Sequence, residues 1–330
     1  MTVAAAEALR WGETHLQSHS VESARLDAEV LLMHCLGWDR TVLYRERDYR
    51  LTPGEEARFR DLVRRRGDHE PIAYLTGERE FWSLPLAVRP GVLIPRPDTE
   101  WVVETALRYA PRFLQRPTRC RILDMGTGSG NIAIAVAASL AAADVTAIDI
   151  SPEALAVAQL NARSCHTAER IRFACGDLFH PLHPHRARFD LLLSNPPYIA
   201  AEEWSALPTT VRRYEPRQAL DGGSDGLVFY RRLFTEGSWY LAANGIAIVE
   251  VGHRQAGDVS HLLMQSLQWQ LLEIVKDYGG IERVVVAQRR PKESGSVWIT
   301  SKSKVESSFT GTSASAGRRT PPCRSWPVCC

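Results

Sequence analysis

The stretch Ser194-Asn195-Pro196-Pro197-Tyr198 has the residue types to hold a planar substrate that carries an NH2 group. It follows an apolar run from Phe189, which is typical of a buried parallel strand. The two prolines end that strand because they lack an N–H and fix φ near about −65°. The Asn195 side-chain oxygen and the Pro196 carbonyl can each accept one N–H, and Tyr198 adds an aromatic wall. A proline turn that merely closes a strand is the alternative.

A glycine-rich turn, Gly126-Thr127-Gly128-Ser129-Gly130, follows a predicted strand and opens a predicted helix. Glycines let a ligand approach the backbone closely at a helix N-terminus. The spacing GxGxG differs from the GxGxxG of dinucleotide-binding folds. Asp124 precedes the turn and can accept a hydrogen bond from a ligand ammonium group.

Two more acids, Asp149 and Asp177, end the next two predicted strands. Asp149 follows Asp124 at about the distance at which such folds place an acid on ribose hydroxyls. Three acids beside a glycine turn fit a ligand with an amino group, a ribose diol and an adenine amine, and no pyrophosphate. S-adenosylmethionine is such a ligand. Each acid taken singly could instead cap a helix.

Composition and charge exclude several classes of protein. The 330 residues carry a net charge of +2, which gives no polyanion-binding signature. No run approaches the roughly 20 apolar residues of a membrane span, and the N-terminus lacks the basic flank of a signal peptide. We therefore expect a cytoplasmic protein without membrane contact, and we expect a solvated helix face at Arg64-Arg65-Arg66.

The histidines and cysteines do not suggest a metal site. His180, His183 and His185 alternate with prolines and have no adjacent acid, so we predict a surface loop there. Four scattered cysteines indicate reduced thiols, and the three in the tail lack a zinc spacing. That tail, residues 291–330, is rich in Ser, Thr, Gly and Lys, so we predict that it is disordered.

Hydrophobic periodicity divides the rest of the chain into three parts. Residues 1–70 predict a bundle of four or five helices, one of them opened by a Thr52–Glu55 capping box. Residues 71–97 predict a β-hairpin linker with its turn at Pro90-Gly91. Residues 98–290 alternate strands and helices, which is typical of an α/β fold with a mostly parallel sheet.

The predicted elements of the α/β part end in an antiparallel strand, because the last connection is too short for a parallel crossover. The segment from Leu93 to Glu100 lies at the start of the first predicted helix of this part. It is either a linker that caps that helix or a segment folded over the active site. We predict helices over 99–110, 131–140, 152–162, 227–242 and 255–267, and strands over 121–125, 145–150, 171–175, 191–194, 246–251, 269–276 and 282–288.

Several stretches together resemble the release-factor glutamine methyltransferases, over about residues 5–289. The glycine turn and the Asn-Pro-Pro-Tyr corner are shared with many methyltransferases. Three stretches are more specific: residues 70–77 (Glu-Pro-Ile-Ala-Tyr-Leu-Thr-Gly), the pair Phe81-Trp82, and residues 93–100 (Leu-Ile-Pro-Arg-Pro-Asp-Thr-Glu). Two further stretches also match, Tyr214-Glu215-Pro216 and Glu250-Val251-Gly252. The resemblance favours a place near the substrate site for 93–100.

The resemblance implies a fold, an activity and a set of site residues. The fold is a seven-stranded, Rossmann-like class I methyltransferase domain behind a helical bundle and a hairpin linker. The activity is methylation, by S-adenosylmethionine, of the glutamine amide nitrogen in the Gly-Gly-Gln loop of class-one peptide chain release factors. We expect a monomer, and no direct contact with nucleic acid. Asn195, Pro196 and Tyr198 are the expected catalytic residues, and Pro197 joins them in binding the glutamine. The expected donor-binding residues are Asp124, Gly126, Thr127, Gly128, Ser129, Gly130, Asp149, Asp177, Leu178 and Asn195.

One position departs from the family and three other functions stay open. Position 178 is often aromatic in the family, so Leu178 leaves adenine stacking in doubt. The first rival function is methylation of an amino group on a nucleic-acid base, which the same acceptors fit, but the chain lacks a basic recognition domain. The second is a binding module without catalysis. The third is a nicotinamide dehydrogenase, which the missing GxGxxG disfavours.

Overall fold

The N-terminal region is helical in the computed structural model, which describes residues 2–114, 119–183 and 188–291. Thr52 caps the fourth helix as predicted: its hydroxyl accepts from the Glu55 N–H, and the Glu55 carboxylate accepts from the Thr52 N–H at 2.8 Å. That helix buries Phe59 and Val63 against its neighbours. Up to residue 76 the described chain forms α1 Ala5–Ser18, α2 Ala24–Leu36, α3 Arg40–Arg45, α4 Pro53–Gly67 and α5 Ile72–Thr76.

A two-stranded hairpin follows, but the predicted position of its turn is wrong. Strands β1 Glu78–Phe81 and β2 Leu84–Ala87 pair antiparallel, and the turn between them is Trp82-Ser83 rather than Pro90-Gly91. Both turn residues have positive φ, 54° and 57°. The Trp82 side chain stabilises this unfavourable backbone from outside the turn, because its indole N–H donates to Ser139 Oγ at 2.9 Å.

The remaining strands form one seven-stranded sheet flanked by helices. The strands are β3 Cys120–Met125, β4 Ala143–Asp149, β5 Ile171–Cys175, β6 Phe189–Ser194, β7 Leu241–Glu250, β8 Trp269–Lys276 and β9 Glu282–Arg289. Their order in the sheet is β5-β4-β3-β6-β7-β9-β8, and β9 is antiparallel to both neighbours, which confirms the predicted antiparallel end. The helices are α6 Glu100–Tyr109, α7 Asn131–Ser139, α8 Pro152–Ser164, α9 Thr209–Tyr214, α10 Val228–Gly237 and α11 Ala256–Gln265.

One helix is shorter than predicted. The expected helix over 227–242 is wrong at its C-terminal end, since α10 ends at Gly237 and Leu241 already begins β7. Leu241 is fully buried and pairs with Phe189 at the start of β6. An apolar residue at this position fits both the helical and the strand periodicity of hydrophobic residues, and its pairing in the sheet decides which element it joins.

The register of the central strands brings the predicted site together. Every residue of β6 is buried, as expected for a parallel strand inside the sheet. Met125 pairs with both Ile148 and Ser194, so the glycine turn, Asp149 and Asn195 follow at one edge of the sheet. Residues 2–291 pack as one compact unit. The division at residues 70, 97 and 290 stays a prediction, and the predicted disorder of the tail lies outside the described residues beyond 291.

Candidate active site

A cavity of about 270 Å³ opens at the carboxyl edge of the central strands. Its walls include the glycine turn from Gly126 to Ser129 and the corner from Asn195 to Pro197. Asp149 and Leu178 complete the wall between them. Most of the predicted site residues therefore share one cavity, and Asp124, Gly130 and Tyr198 lie outside its lining.

The glycine turn has the backbone that only glycine adopts readily. Gly128 has φ of 55° and donates its N–H to the Asp149 carboxylate at 2.8 Å. Gly130 has φ of 83°, and a β-carbon there would lie 2.8 Å from Ile134 Cδ1 and 3.1 Å from Ala158 Cβ of α8. Gly130 thus lets α7 pack closely against α8, while Gly128 connects the turn to the next strand.

Asp149 lies in the cavity wall with part of its hydrogen-bonding capacity unused. Its two oxygens accept the N–H groups of Gly128 and Ser151 at 2.8 and 2.9 Å. A carboxylate offers about four acceptor sites, so ligand hydroxyls can still bind. Burial raises the pKa of Asp149, and the backbone donors act in the opposite direction.

Asp124 lies beneath the glycine turn and is fully buried. Its Oδ2 accepts from the Thr127 hydroxyl at 2.6 Å and from the Ala133 N–H at 3.2 Å. No described residue hydrogen-bonds its Oδ1. Burial raises the pKa of Asp124 to about 7, and the charge of Asp149 adds to the rise. In this structure the carboxylate supports the turn from behind.

Asp177 and Leu178 form the far wall of the cavity. The Asp177 carboxylate pairs with the Arg232 guanidinium of α10 at 2.8 Å, and both residues line the cavity. Leu178 has φ of 48° and is 9% exposed. The wall at 178 is therefore aliphatic, and a ligand ring there would contact a leucine side chain.

The Asn195 side chain is held in place by a hydrogen bond that the sequence did not predict. Its Nδ2 donates to Thr99 Oγ1 at 3.0 Å. Amide oxygen and nitrogen are told apart by their hydrogen-bond partners. With the nitrogen so engaged, Oδ1 is the atom available to accept a donor in the cavity.

Tyr198 borders a small recess beside the cavity, and Asn195 and Arg96 line both. Its backbone is held rigidly: the carbonyl accepts from Gln255 Nε2 at 2.8 Å. A β-carbon at Gly252 would approach the Tyr198 ring to 2.8 Å. Burial raises the pKa of the Tyr198 phenol, so this group stays protonated at neutral pH and offers no base.

The segment before α6 folds over the site, which decides between the two interpretations of 93–100. Leu93 to Arg96 lines the cavity. Glu215 clamps the segment, because its carboxylate accepts from the Ile94 N–H at 3.2 Å and pairs with Arg96 at 2.5 Å. The segment is therefore a wall of the site, and Tyr214-Glu215-Pro216 supplies the residue that holds it.

Asn161 of α8 is a second residue that the sequence reasoning missed. Its amide bonds both the N–H and the carbonyl of Ala87, at 2.8 and 3.0 Å, and donates to the Ser129 carbonyl at 2.9 Å. It joins the hairpin to the glycine turn. Asn161 has no local sequence signal, whereas Thr99, Glu215 and Glu250 lie in stretches that matched the family.

The described residues give two further findings about ligands and membranes. Over 2–114, 119–183 and 188–291, no three His, Cys, Asp or Glu side chains cluster as a metal ion would need. In the same ranges no helix is both long enough and apolar enough to span a bilayer. His180 and His183 lie in a loop after β5, and His185 falls outside the described residues.

Comparisons with known proteins identify the family. Family models of the PrmC N-terminal domain and of a methyltransferase domain match residues 7–77 and 122–215. The release factor glutamine methyltransferase of Geobacter sulfurreducens is 45% identical, over 84% of this chain and 94% of that protein. That of Rhodopirellula baltica is 42% identical, over 85% and 95%. A solved protein-(glutamine-N5) methyltransferase (release factor-specific) from Alicyclobacillus acidocaldarius is 31% identical over 62% of this chain and all of that chain, with a TM-score of 0.36. The chain belongs to the release factor glutamine methyltransferase family.

Proposed function

We propose that this chain transfers a methyl group from S-adenosylmethionine to the side-chain amide nitrogen of a glutamine in a peptide chain release factor. The observation that carries the proposal is the Asn195 carboxamide, whose nitrogen is engaged by Thr99 and whose oxygen is available to the cavity. Beside it, the Pro196 carbonyl is the second acceptor. Two acceptors match the two N–H groups of a primary carboxamide.

The residues of the cavity fit S-adenosylmethionine as the donor. Gly126 and Gly128 both line the cavity with positive φ, and no described atom lies within 4 Å of the β-carbon that either would carry. The backbone can therefore approach a ligand closely there. Asp149 keeps acceptor sites for ribose hydroxyls, and Asp177 lies beyond it for an adenine amine. When bound, the donor supplies an electrophilic methyl group on a sulfonium.

The chain's own contribution to the reaction is positioning and electrostatic stabilisation. An amide nitrogen is a weak nucleophile because its lone pair is delocalised. Holding the nitrogen in line with the methyl group of the donor can lower the activation barrier by up to roughly 7–11 kcal/mol when the reacting atoms are in near-attack geometry. The Asn195 oxygen and the Pro196 carbonyl also stabilise positive charge as it develops on the nitrogen. No base need remove a proton before transfer, because the extra proton can leave the nitrogen after the methyl group has been transferred; this agrees with a Tyr198 phenol that stays protonated.

The substrate that we propose is the Gly-Gly-Gln loop of a class-one release factor. A glutamine on an exposed loop can enter a cavity that a folded surface cannot. All the residues named for the site come from one chain, so we expect a monomer to be competent. With a net charge of +2, we expect no direct contact with nucleic acid.

The test is methyl transfer from labelled donor to purified release factor, DNA and RNA in parallel. We expect label in the release factor alone, and mass spectrometry should map it to the glutamine. Incorporation into nucleic acid without incorporation into the release factor would refute the proposal in favour of a base methyltransferase.

The variant that tests the acceptor role is Asn195→Ala. We expect kcat to fall at least about 100-fold, as for the loss of one transition-state hydrogen bond, while donor affinity weakens only in part. Calorimetric donor binding and single-turnover rates measure the two effects separately. The matched control is Gln159→Ala, an exposed amide side chain on α8. An unchanged kcat in Asn195→Ala would exclude the role.

A further inference from the structure

Thr99 lies directly beneath the Asn195 carboxamide. It is 1% exposed, and its Oγ1 accepts from Asn195 Nδ2 at 3.0 Å. A threonine at the start of α6 would ordinarily cap that helix, yet the Thr99 side chain makes no capping hydrogen bond there. Its hydroxyl serves the site instead of its own helix.

Glu250 is the last residue of β7. Ser194 of β6 pairs with Val249, so Asn195 and Glu250 follow one another across the same sheet edge. Glu250 is 2% exposed, and no group in the described chain hydrogen-bonds its Oε2. Burial raises the pKa of Glu250 to about 7, and the neighbouring Thr99 hydroxyl opposes that rise.

The hydroxyl proton of Thr99 links the orientation of the Asn195 amide to the neighbouring Glu250. The Thr99 oxygen accepts from Asn195, and an ionised Glu250 carboxylate only accepts, so Glu250 is a suitable acceptor for the one hydroxyl proton of Thr99. The Thr99 oxygen is then left as an acceptor, and only the NH2 end of the Asn195 amide can face it. The reverse amide orientation would turn an NH2 group toward the NH2 group of the substrate, which offers it no acceptor.

We propose that Glu250 accepts the Thr99 hydroxyl proton and that both are positioning residues, which hold the Asn195 carboxamide with its oxygen toward the cavity. This rests on the proposed function for its effect on rate. Neither residue is assigned a contact with the reacting atoms, since both act through Asn195. The proposal concerns orientation, so it predicts an effect on turnover and a much smaller effect on binding.

The charged groups around Glu250 determine when it is ionised. Asp98 raises its pKa, whereas Arg283 and Arg96 lower it. Arg283 pairs with Asp98 at 2.9 Å, and the Tyr230 hydroxyl donates to the Glu250 backbone carbonyl at 2.9 Å. Glu250 loses its proton as pH rises through about 7, so wild-type kcat should fall on the acid side of that value.

The decisive comparison is Thr99→Val with Thr99→Ser, because valine keeps the shape and serine keeps the hydroxyl. We expect Thr99→Val to lower kcat for release-factor methylation about 10- to 100-fold. The KM for the release factor and the donor Kd should stay within about twofold, and the serine variant should recover most of the rate. Thr105→Val is the matched control, a buried threonine on the same helix.

Two outcomes would overturn the proposal. One is a wild-type kcat in Thr99→Val; the other is a serine variant as impaired as the valine variant. If Thr99→Val does not fold, the variant Glu250→Gln tests the proposal instead. The introduced NH2 group can donate to the Thr99 oxygen, so the Thr99 hydroxyl proton no longer has to go to residue 250. That variant should lose rate and lose the fall in kcat on the acid side of pH 7. Retention of both by Glu250→Gln would contradict the proposal.

Failure of the proposed function can be told apart from failure of this inference. If the wild-type chain transfers no methyl group to a release factor, the proposed function fails. Orientation is then read from the Asn195 side-chain NH2 resonances in 15N NMR spectra, assigned with Asn195→Ala. We expect one amide proton of the wild-type chain to exchange slowly, and this protection to be lost in Thr99→Val and kept in Thr99→Ser. Unchanged resonances in Thr99→Val would overturn the inference.

Discussion

At the scale of single residues, the acids that end neighbouring strands differ because their surroundings differ. Asp149 faces the cavity with acceptor sites to spare, whereas Asp124 is sealed beneath the glycine turn. Burial raises the pKa of Asp124 to about 7, against about 3.9 in an unfolded chain. Between those pH values only the folded chain holds the proton, so this group's contribution to the free energy of unfolding falls as pH rises.

Asp124→Asn should therefore change stability in a pH-dependent way. The introduced amide oxygen can still accept from Thr127 and Ala133, which both bond one oxygen of the acid. We expect a higher Tm than wild type at pH 8, where the wild-type carboxylate is buried and charged, and a smaller difference at pH 5.5. Calorimetry at both pH values measures this, with the exposed Asp61→Asn as control. A variant that is less stable than wild type at pH 8 would contradict the argument.

At the scale of elements, Asn161 joins three parts of the fold. It fixes the second hairpin strand and the glycine turn to α8, and it is 1% exposed. Asn161→Ala leaves the half-buried N–H and carbonyl of Ala87 and the buried carbonyl of Ser129 without their Asn161 partner. A fully buried group that loses its partner costs about 1–3 kcal/mol, and a half-buried one costs less. We expect unfolding free energy to fall by about 2–4 kcal/mol, with severalfold weaker donor binding.

Urea unfolding measures the loss in Asn161→Ala, and an unchanged m-value would show that the native and denatured states keep their compactness. Gln159→Ala serves as the control, because that side chain is exposed on the same helix. Alanine is a better helix former than asparagine or glutamine, so helix propensity cannot cause a loss in either variant. Equal losses in the two variants would therefore contradict a role for the three hydrogen bonds.

Local backbone chemistry is what made parts of the site predictable. Asn195 before two prolines and Gly128 in a left-handed conformation are determined by their own residue types. The contact of Thr99 with Asn195 joins positions 96 residues apart, and that of Asn161 with Ala87 joins positions 74 apart. Such contacts depend on which elements meet in the fold. The turn at Trp82-Ser83 was missed for the same reason, since bulky residues at positive φ need support from elsewhere.

At the scale of the whole molecule, the site is assembled from several separate parts of the described chain. The segment before α6 covers the cavity, β3 and β4 supply the donor side, and β6 supplies the corner. The Tyr214 hydroxyl also donates to the Asp68 carbonyl at 2.8 Å, which ties the helix next to Glu215 to the N-terminal helices. We therefore predict that a substrate glutamine contacts all these parts at one point.

The most direct measurement is a crystal structure of the chain with the demethylated donor product and a peptide that carries the Gly-Gly-Gln sequence. The account predicts the glutamine amide nitrogen within about 2.7–3.2 Å of both Asn195 Oδ1 and the Pro196 carbonyl oxygen. It also predicts Asn195 Nδ2 still bonded to Thr99. A glutamine bound away from this corner, or an Asn195 amide turned with its nitrogen toward the substrate, would contradict it.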